Sequence, residues 1–389
     1  MPQTKPKMRN LPAKVDKKRL TRTLQQLISL DSQNPPGDER AVAAFVCGYL
    51  KNLGLEIKTH TFSAKRVNVL ARLPGKKHAR SLLLTPHLDT VPAGASWKTP
   101  ALKAKIIGDR IYGLGATDCK GNLASGMEAI NAIVEEGIKL DYDLIFAATA
   151  DEESGSDLGL IPLLKRKILK ADAAVVLDAD DFEIVVTQKG LMHLKVFIRG
   201  KKAHGAYPWL GKNAIVIASG IIADLQNQHP RYRKNVYLRE PTINVGTIKG
   251  GDKVNVVSDW CEFELDFRFL PGTSDKKLLR SLHRLIRRHA ADYKIEIQGI
   301  QDPYYIDPGH PLVQGLAGAM NNLKIKPRIS GSEGATVITF FKALKIPAVA
   351  TGFGAEGCAH IADEYAGLNN LYDGARVLVE FLKNYKFNY

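Results

Sequence analysis

Two rhythms of apolar residues run along the chain. Leu20, Leu24, Leu27 and Ile28, then Val42, Phe45, Val46, Tyr49 and Leu50, recur at the spacing of one helix face, with Pro35, Pro36 and Gly37 between the two runs. β-rich runs follow at 55–62, 67–73 and 82–86. A helix is predicted over 121–136, and largely apolar strands at 143–148 and 173–177. Strands alternating with helices predict an α/β layered domain.

Near residue 185 the rhythm changes. Long alternating strands at 184–189 and 192–199 lead to a helix over 213–227, strands at 242–248 and 261–269, a helix over 275–291 and a strand at 294–298. That set reads as an α+β unit of its own. The first rhythm then returns, with helices over 312–323 and 335–343, a strand at 347–351 and a last helix over 369–386. The simplest organisation is a disordered basic tail over 1–16, an α/β domain built from 17–184 and 303–389, and an inserted α+β domain over 185–302.

With 389 residues, 45% hydrophobic and 24% charged, the composition is that of an ordinary globular protein large enough for two domains. The longest apolar stretch, 214–225, is interrupted by Ser219, Gly220 and Asp224, so it predicts a buried helix and no membrane span. The basic amino-terminal segment lacks the apolar stretch of a secretory signal. Cys47, Cys119, Cys261 and Cys358 are too scattered for a disulfide framework or a Cys-built zinc site, and a cytoplasmic location is the default expectation. The net charge is 55 − 40 = +15. Eight basic residues against the single acid Asp16 fall between Lys5 and Arg22. Lys276, Lys277, Arg280, Arg284, Arg287 and Arg288 recur at helical spacing, as on one solvated helix face. No basic-aromatic groove accompanies them, so nucleic acid is not the expected partner, whereas a small anionic substrate suits the field.

The chemistry sits at strand ends. The run Leu82-Leu83-Leu84 leads to His87-Leu88-Asp89, two side chains that share a face. A neutral imidazole is a good metal ligand, and a carboxylate behind it sets its tautomer. In Gly113-Leu114-Gly115-Ala116-Thr117-Asp118, the aspartate stands just before a helix, where capping is its commoner role and bridging two metals its more interesting one. The apolar strand 144–148 runs into Asp151-Glu152-Glu153, three acids that repel unless cations neutralise them. Neighbouring side chains diverge, so one glutamate can ligate while the other serves as general base. Strand 173–177 ends in Asp178-Ala179-Asp180-Asp181, and Gly352-Phe353-Gly354 precedes His360 and Glu364. Strand ends are where open α/β sheets place their sites, and nitrogen and oxygen donors without cysteine suit zinc, cobalt or manganese.

In this order and at these intervals, the motifs from about residue 20 to 385 resemble the two-metal peptidases and deacylases that include acetylornithine deacetylase, succinyl-diaminopimelate desuccinylase, aminoacylase and the glutamate carboxypeptidases. The resemblance implies a zinc-peptidase-like catalytic domain interrupted by a ferredoxin-like dimerisation domain, and a homodimer. It implies two divalent metal ions per subunit, with zinc ahead of cobalt or manganese. Asp118 would bridge them, His87 and Asp178 completing one and Glu153 and His360 the other. Glu152 would be the general base and Asp89 the partner of His87.

In Lys202-Ala203-His204-Gly205, His204 resembles the histidine that reaches the partner's active site to hold the oxyanion, although a histidine on a short turn is ordinarily structural. Asn255 and Arg268 resemble substrate contacts, and arginine's planar fork suits a carboxylate, although Arg268 alone would read as a surface ion pair. Ser332 and Glu333 belong to a loop expected to bind substrate. There the chain departs from the family, which more often has aspartate in place of Glu333; it departs again at Leu177-Asp178-Ala179, where the deacylases usually show Gly-Glu-Pro. The expected reaction is metal-dependent hydrolysis of an amide bond in a small peptide or N-acyl amino acid bearing a free carboxylate. Deacetylation or desuccinylation in amino-acid biosynthesis is the alternative, and a catalytically silent metal-binding relative the distant one.

Overall fold

The computed structural model describes residues 14–227 and 232–387, so residues 1–13 of the expected tail lie outside the described residues. Residues 14–16, part of the segment expected as tail, are ordered against the fold. Val15 is buried, and the Asp16 carboxylate accepts from the amides of Lys18 and Arg19 at the start of the helix Lys17–Ser29.

Contacts divide the chain into two units. The first takes residues up to Val185, then Ile306–Ile329 and Phe340–Tyr389; the second takes Val186–Tyr305 and Ser330–Thr339. Within the first unit the strand order is Glu56–Ser63, Arg66–Leu73, Asp143–Ala148, Ser81–Thr85, Ala173–Leu177, Ala348–Thr351, and then the opening residues of Glu183–Gln188. The central four of these are mutually parallel; the flanking pairs are antiparallel. Continuous apolar runs such as Ala173–Leu177 are buried at every position, as strands covered on both faces must be. The helix Lys120–Glu135 is buried through Ile133. Its small residues permit this: a Cβ on Gly126 would come within 2.9 Å of both Phe146 and Leu177. Because the four central strands run the same way, their carboxyl ends share one edge, and each is followed by a segment that carries chemistry.

The second unit runs strand-helix-strand-strand-helix-strand: Gly190–Arg199, Ala214–Gln226, Thr242–Gly250, Trp260–Phe269, Asp275–Arg287 and Tyr293–Gln301. Its four strands form one antiparallel sheet with Trp260–Phe269 and Gly190–Arg199 in the middle, the βαββαβ arrangement of ferredoxin-like units. Burial alternates along both central strands, and their inward residues join Ile221, Leu225, Leu282, Leu285 and Ile286 in one core. Burying each such side chain contributes about 1.5–3 kcal/mol. The basic residues of the second helix stay exposed.

Three differences from the sequence reading stand out. In place of the helix expected over 335–343, the chain forms the 3₁₀ segment Val337–Leu344. Two small sheets went unforeseen, Lys105–Ile107 with Arg110–Tyr112 and Tyr365–Gly367, and the ribbon of Ala203–His204 with Val256–Val257. Finally, Ser330–Thr339 groups with the second unit, although 303–389 was expected to belong wholly to the first. The reason is local: Lys189 pairs with Glu333 at 2.6 Å, and the Gln188 side chain bonds Thr336. No helix among the described residues is long and apolar enough to cross a membrane.

Candidate metal centre

Side chains converge where the parallel strands end. His87 follows Ser81–Thr85, Glu152 and Glu153 lie in a 3₁₀ turn after Asp143–Ala148, Asp178 directly follows Ala173–Leu177, and His360 comes from the loop after Ala348–Thr351. Asp118 joins them from the turn before the helix Lys120–Glu135. Its two oxygens part company. Oδ1 lies 2.9 Å from His87 Nε2, and Oδ2 lies 3.1 Å from His360 Nε2. Asp178 is 3.9 Å from His87 Nε2, and Glu153 is 3.1 Å from His360 Nε2. Potential ligand atoms thus gather within 4.8 Å as His87, Glu152 and Asp178 on one side and Asp118, Glu153 and His360 on the other.

This donor set fits divalent cations, because it is short of positive charge. Burial and then the charge of Asp118 push Asp178 up to about 7. Burial and the charge of Asp178 hold Glu152 well above the usual carboxylate range. Hydrogen bonds that its Nε2 donates to the carboxylates of Asp118 and Glu153 raise His360 to about 10. Burial pulls the His87 imidazole down, but Cys119, Asp118 and Asp89 outweigh it and hold His87 well above its ordinary value. Both imidazoles and two of the acids are thus shifted toward their protonated forms, as a site short of cationic charge would be, and histidine and carboxylate ligands at such a spot suit a catalytic metal. Cys119 is no rival ligand. Its Sγ is engaged with the His87 backbone, accepting from the amide at 3.1 Å, and burial pushes the thiol up to about 12.

Support for the cluster comes from Asp89, expected behind His87, and from buried charges at Glu39, Arg66 and Glu364 whose supporting roles the sequence did not show. His87 Nδ1 lies 3.0 Å from the Asp89 carbonyl oxygen and 3.5 Å from its carboxylate, which leaves Nε2 facing the centre. The Asp89 carboxylate also accepts from the amides of Glu152 and Glu153 at 3.1 and 3.2 Å, so it positions the acidic turn as well as the imidazole. Behind it lies a buried network. The Arg66 guanidinium pairs with Glu39 at 2.8 Å and with Asp151 at 2.9 Å, while Asn34 donates to Asp89 at 2.8 Å. Asp151 therefore turns away from the centre, and Asp181 likewise pairs with Arg328 at 3.0 Å. Glu364 has the most telling role. One oxygen accepts from the Gly115 amide at 2.8 Å, and the other from Thr117 at 2.7 Å and Asp118 at 2.9 Å, which clamps the turn that presents Asp118. Asn122 ties the Asp178 turn to the next loop, donating to the Ala179 carbonyl at 3.1 Å and accepting from the Phe353 amide at 2.8 Å. Only glycine fits beside that carbonyl: a Cβ on Gly352 would sit 1.6 Å from the Ala179 oxygen.

In the second unit, the short ribbon brings His204 and Asn255 together, and the Gly205 amide donates to the Asn255 carbonyl at 2.7 Å. Both residues are exposed. His204 Nδ1 accepts from the Ala206 amide at 3.1 Å, so in the neutral ring Nε2 carries the proton and is a donor. Arg268 is gripped by its strand neighbour Asp266, through Nε at 2.8 Å and a second nitrogen at 3.0 Å. Ser332 bonds within its own loop, and Glu333 is held by Lys189 and the Arg239 amide.

A parallel-stranded α/β sheet with imidazoles and carboxylates at its carboxyl edge is the framework of a metal-dependent hydrolase. Residues 83–384 match peptidase family M20/M25/M40, and the chain belongs to that family of metallohydrolases. It is similar to acetylornithine deacetylase of Vibrio cholerae, 28% identical over 374 residues that span 92% of this chain and 95% of the relative. Its fold is similar to that of aminopeptidase PepT from Bacillus cereus, with a TM-score of 0.80, 24% identity, and coverage of 95% of this chain and 98% of the other. It is also similar to YXEP protein of Bacillus subtilis, a dinuclear metal-binding peptidase of the M20 family, with a TM-score of 0.75, 16% identity, and coverage of 94% and 97%.

Proposed function

We propose that the protein hydrolyses an amide bond in a small peptide or N-acyl amino acid that bears a free carboxylate, with two divalent cations, zinc foremost, per subunit. The observation that carries this reading is the division of Asp118's two oxygens between two donor groups. His87 and Asp178 would complete one cation site and Glu153 and His360 the other. The cations would supply Lewis acidity, lowering the pKa of a water and polarising the scissile carbonyl. Glu152 takes the proton from the attacking water and returns it to the leaving nitrogen. Its place beside His87 and Asp178, on a turn pinned through its amide by Asp89, supports that role. His204 would donate from Nε2 to the oxyanion of a partner subunit, its exposure and tautomer supporting the reading, and a homodimer through the inserted unit would bring it there. Asn255, Arg268, Ser332 and Glu333 would face the substrate. A reducing, cytoplasmic setting suits the four free thiols.

The deacylase relative and the peptidase neighbours leave peptide cleavage and N-deacylation as two outcomes of one test. Dipeptides and N-acetyl or N-succinyl amino acids are offered to the enzyme with and without chelator, and to Glu152→Gln. Chelator-sensitive release from one substrate class is expected, with Glu152→Gln slower by about 10²–10⁴ yet still binding metal. Full activity of that variant, or hydrolysis indifferent to chelator, would overturn the assignment.

A further inference from the structure

The inserted unit contains a cavity of about 600 Å³ that the proposed reaction leaves undefined, lined among others by Lys189, Arg239, Glu240, Arg268 and Glu333. Lys189 is unusual among them. Its side chain is only 2% exposed, yet it ends in an ammonium that donates to the Glu240 carbonyl at 2.5 Å and pairs with one oxygen of Glu333 at 2.6 Å. The other Glu333 oxygen accepts from the Arg239 amide at 2.8 Å. An ammonium and a backbone amide from different segments thus grip both oxygens of one carboxylate. The grip is fixed, because Lys189 is buried and anchored to the main chain. Its occupant is not: the Glu333 side chain is 47% exposed and sits between Gly331 and Gly334.

We propose that this grip is a subsite for a second, acidic group of the substrate, such as a glutamate-like side chain or an acyl carboxylate. Lys189 and the Arg239 amide are its anchors. Glu333 is an internal stand-in that holds the grip until the substrate carboxylate displaces it into solvent. Once Glu333 swings out, Lys189 and Arg239 face the single acid Glu240 across the cavity, because Arg268 is already paired with Asp266. Exchange of one carboxylate for another keeps the buried ammonium paired. A neutral group in the same place would strand it, and a cationic group would repel it. The link to turnover rests on the function proposed above; the grip itself does not.

The test compares kcat/KM of the full-length, metal-loaded enzyme for matched substrates that differ only in carrying glutamate, glutamine or lysine. Wild type is expected to prefer glutamate to glutamine. Lys189→Met should lower that preference by about 10–100-fold, the worth of a charged hydrogen bond. Glu333→Gln, which removes the competitor from an exposed position, should lower KM for the glutamate substrate. Preference for lysine, or a glutamate preference that survives Lys189→Met, would overturn the proposal. If none of the matched substrates is hydrolysed, the reaction assignment fails, and calorimetric titration with glutarate still tests the grip. Tighter binding in Glu333→Gln and loss in Lys189→Met support it; equal binding in all three proteins, or none, overturns it.

Discussion

Glu364→Gln probes how the Asp118 turn is held, because it removes charge while nearly preserving shape. The carboxylate of Glu364 is 2% exposed and serves three amides, one on one oxygen and two on the other. Glutamine retains a single acceptor oxygen. If that oxygen serves Thr117 and Asp118, the new NH₂ group faces the Gly115 amide, donor against donor; reversing the side chain leaves two amides unserved. A buried donor left without its partner costs about 1–3 kcal/mol. The damage falls on the turn that aims Asp118, so metal affinity should drop by about 10–100-fold, as it does when supports behind a ligand are removed. Both effects are measured at about pH 8, above the Glu364 carboxyl, which burial pushes up to about 7. Urea unfolding of metal-free protein gives the stability change, and zinc titration gives the affinity. Zinc affinity within about twofold of wild type, together with an unchanged urea midpoint, would refute the clamp.

Two further outcomes follow from the geometry. In the proposed homodimer, His204→Ala should lower kcat by about 10²–10³, and mixing it with Glu152→Gln subunits should restore activity, because one site of each mixed dimer would have both groups intact; absence of restoration would place His204 outside a partner's chemistry. Burial and the charge of Asp89 raise Glu39 from 4.5 to about 7. The folded chain therefore keeps this carboxyl protonated where the unfolded chain ionises it, so its contribution to stability is full below about pH 4.5 and is lost as pH rises through about 7. Glu39→Gln cannot ionise and should flatten that limb in urea midpoints; an unchanged slope would contradict the assignment.

Much of the framework was legible because it obeys short-range rules. Parallel strands buried on both faces spell themselves as apolar runs, Leu82-Leu83-Leu84 and Ala173–Leu177, and His87, Glu152, Glu153 and Asp178 follow such runs within a few residues. The alternation in Gly190–Arg199 and Trp260–Phe269 announced a sheet with one face on a core. Illegible were features decided between distant segments. Nothing around Arg66 reveals that it will be buried against Glu39 and Asp151, or around Glu364 that three amides from 115–118 will close on it. The run Asp151-Glu152-Glu153 promised acids at the centre, but the pairing of Asp151 with Arg66 decides which of them turn away. The two-residue ribbon at His204 is too short to leave a periodic signal, and the move of Ser330–Thr339 to the second unit depends on contacts with Gln188 and Lys189.

The most direct measurement is zinc bound per chain, obtained by titrating metal-free wild type and Asp118→Ala and analysing the metal retained. Two equivalents in the wild type and at most one in Asp118→Ala are expected if the aspartate is shared between two cations. A single equivalent in the wild type, or two undiminished in Asp118→Ala, would contradict a bridged pair.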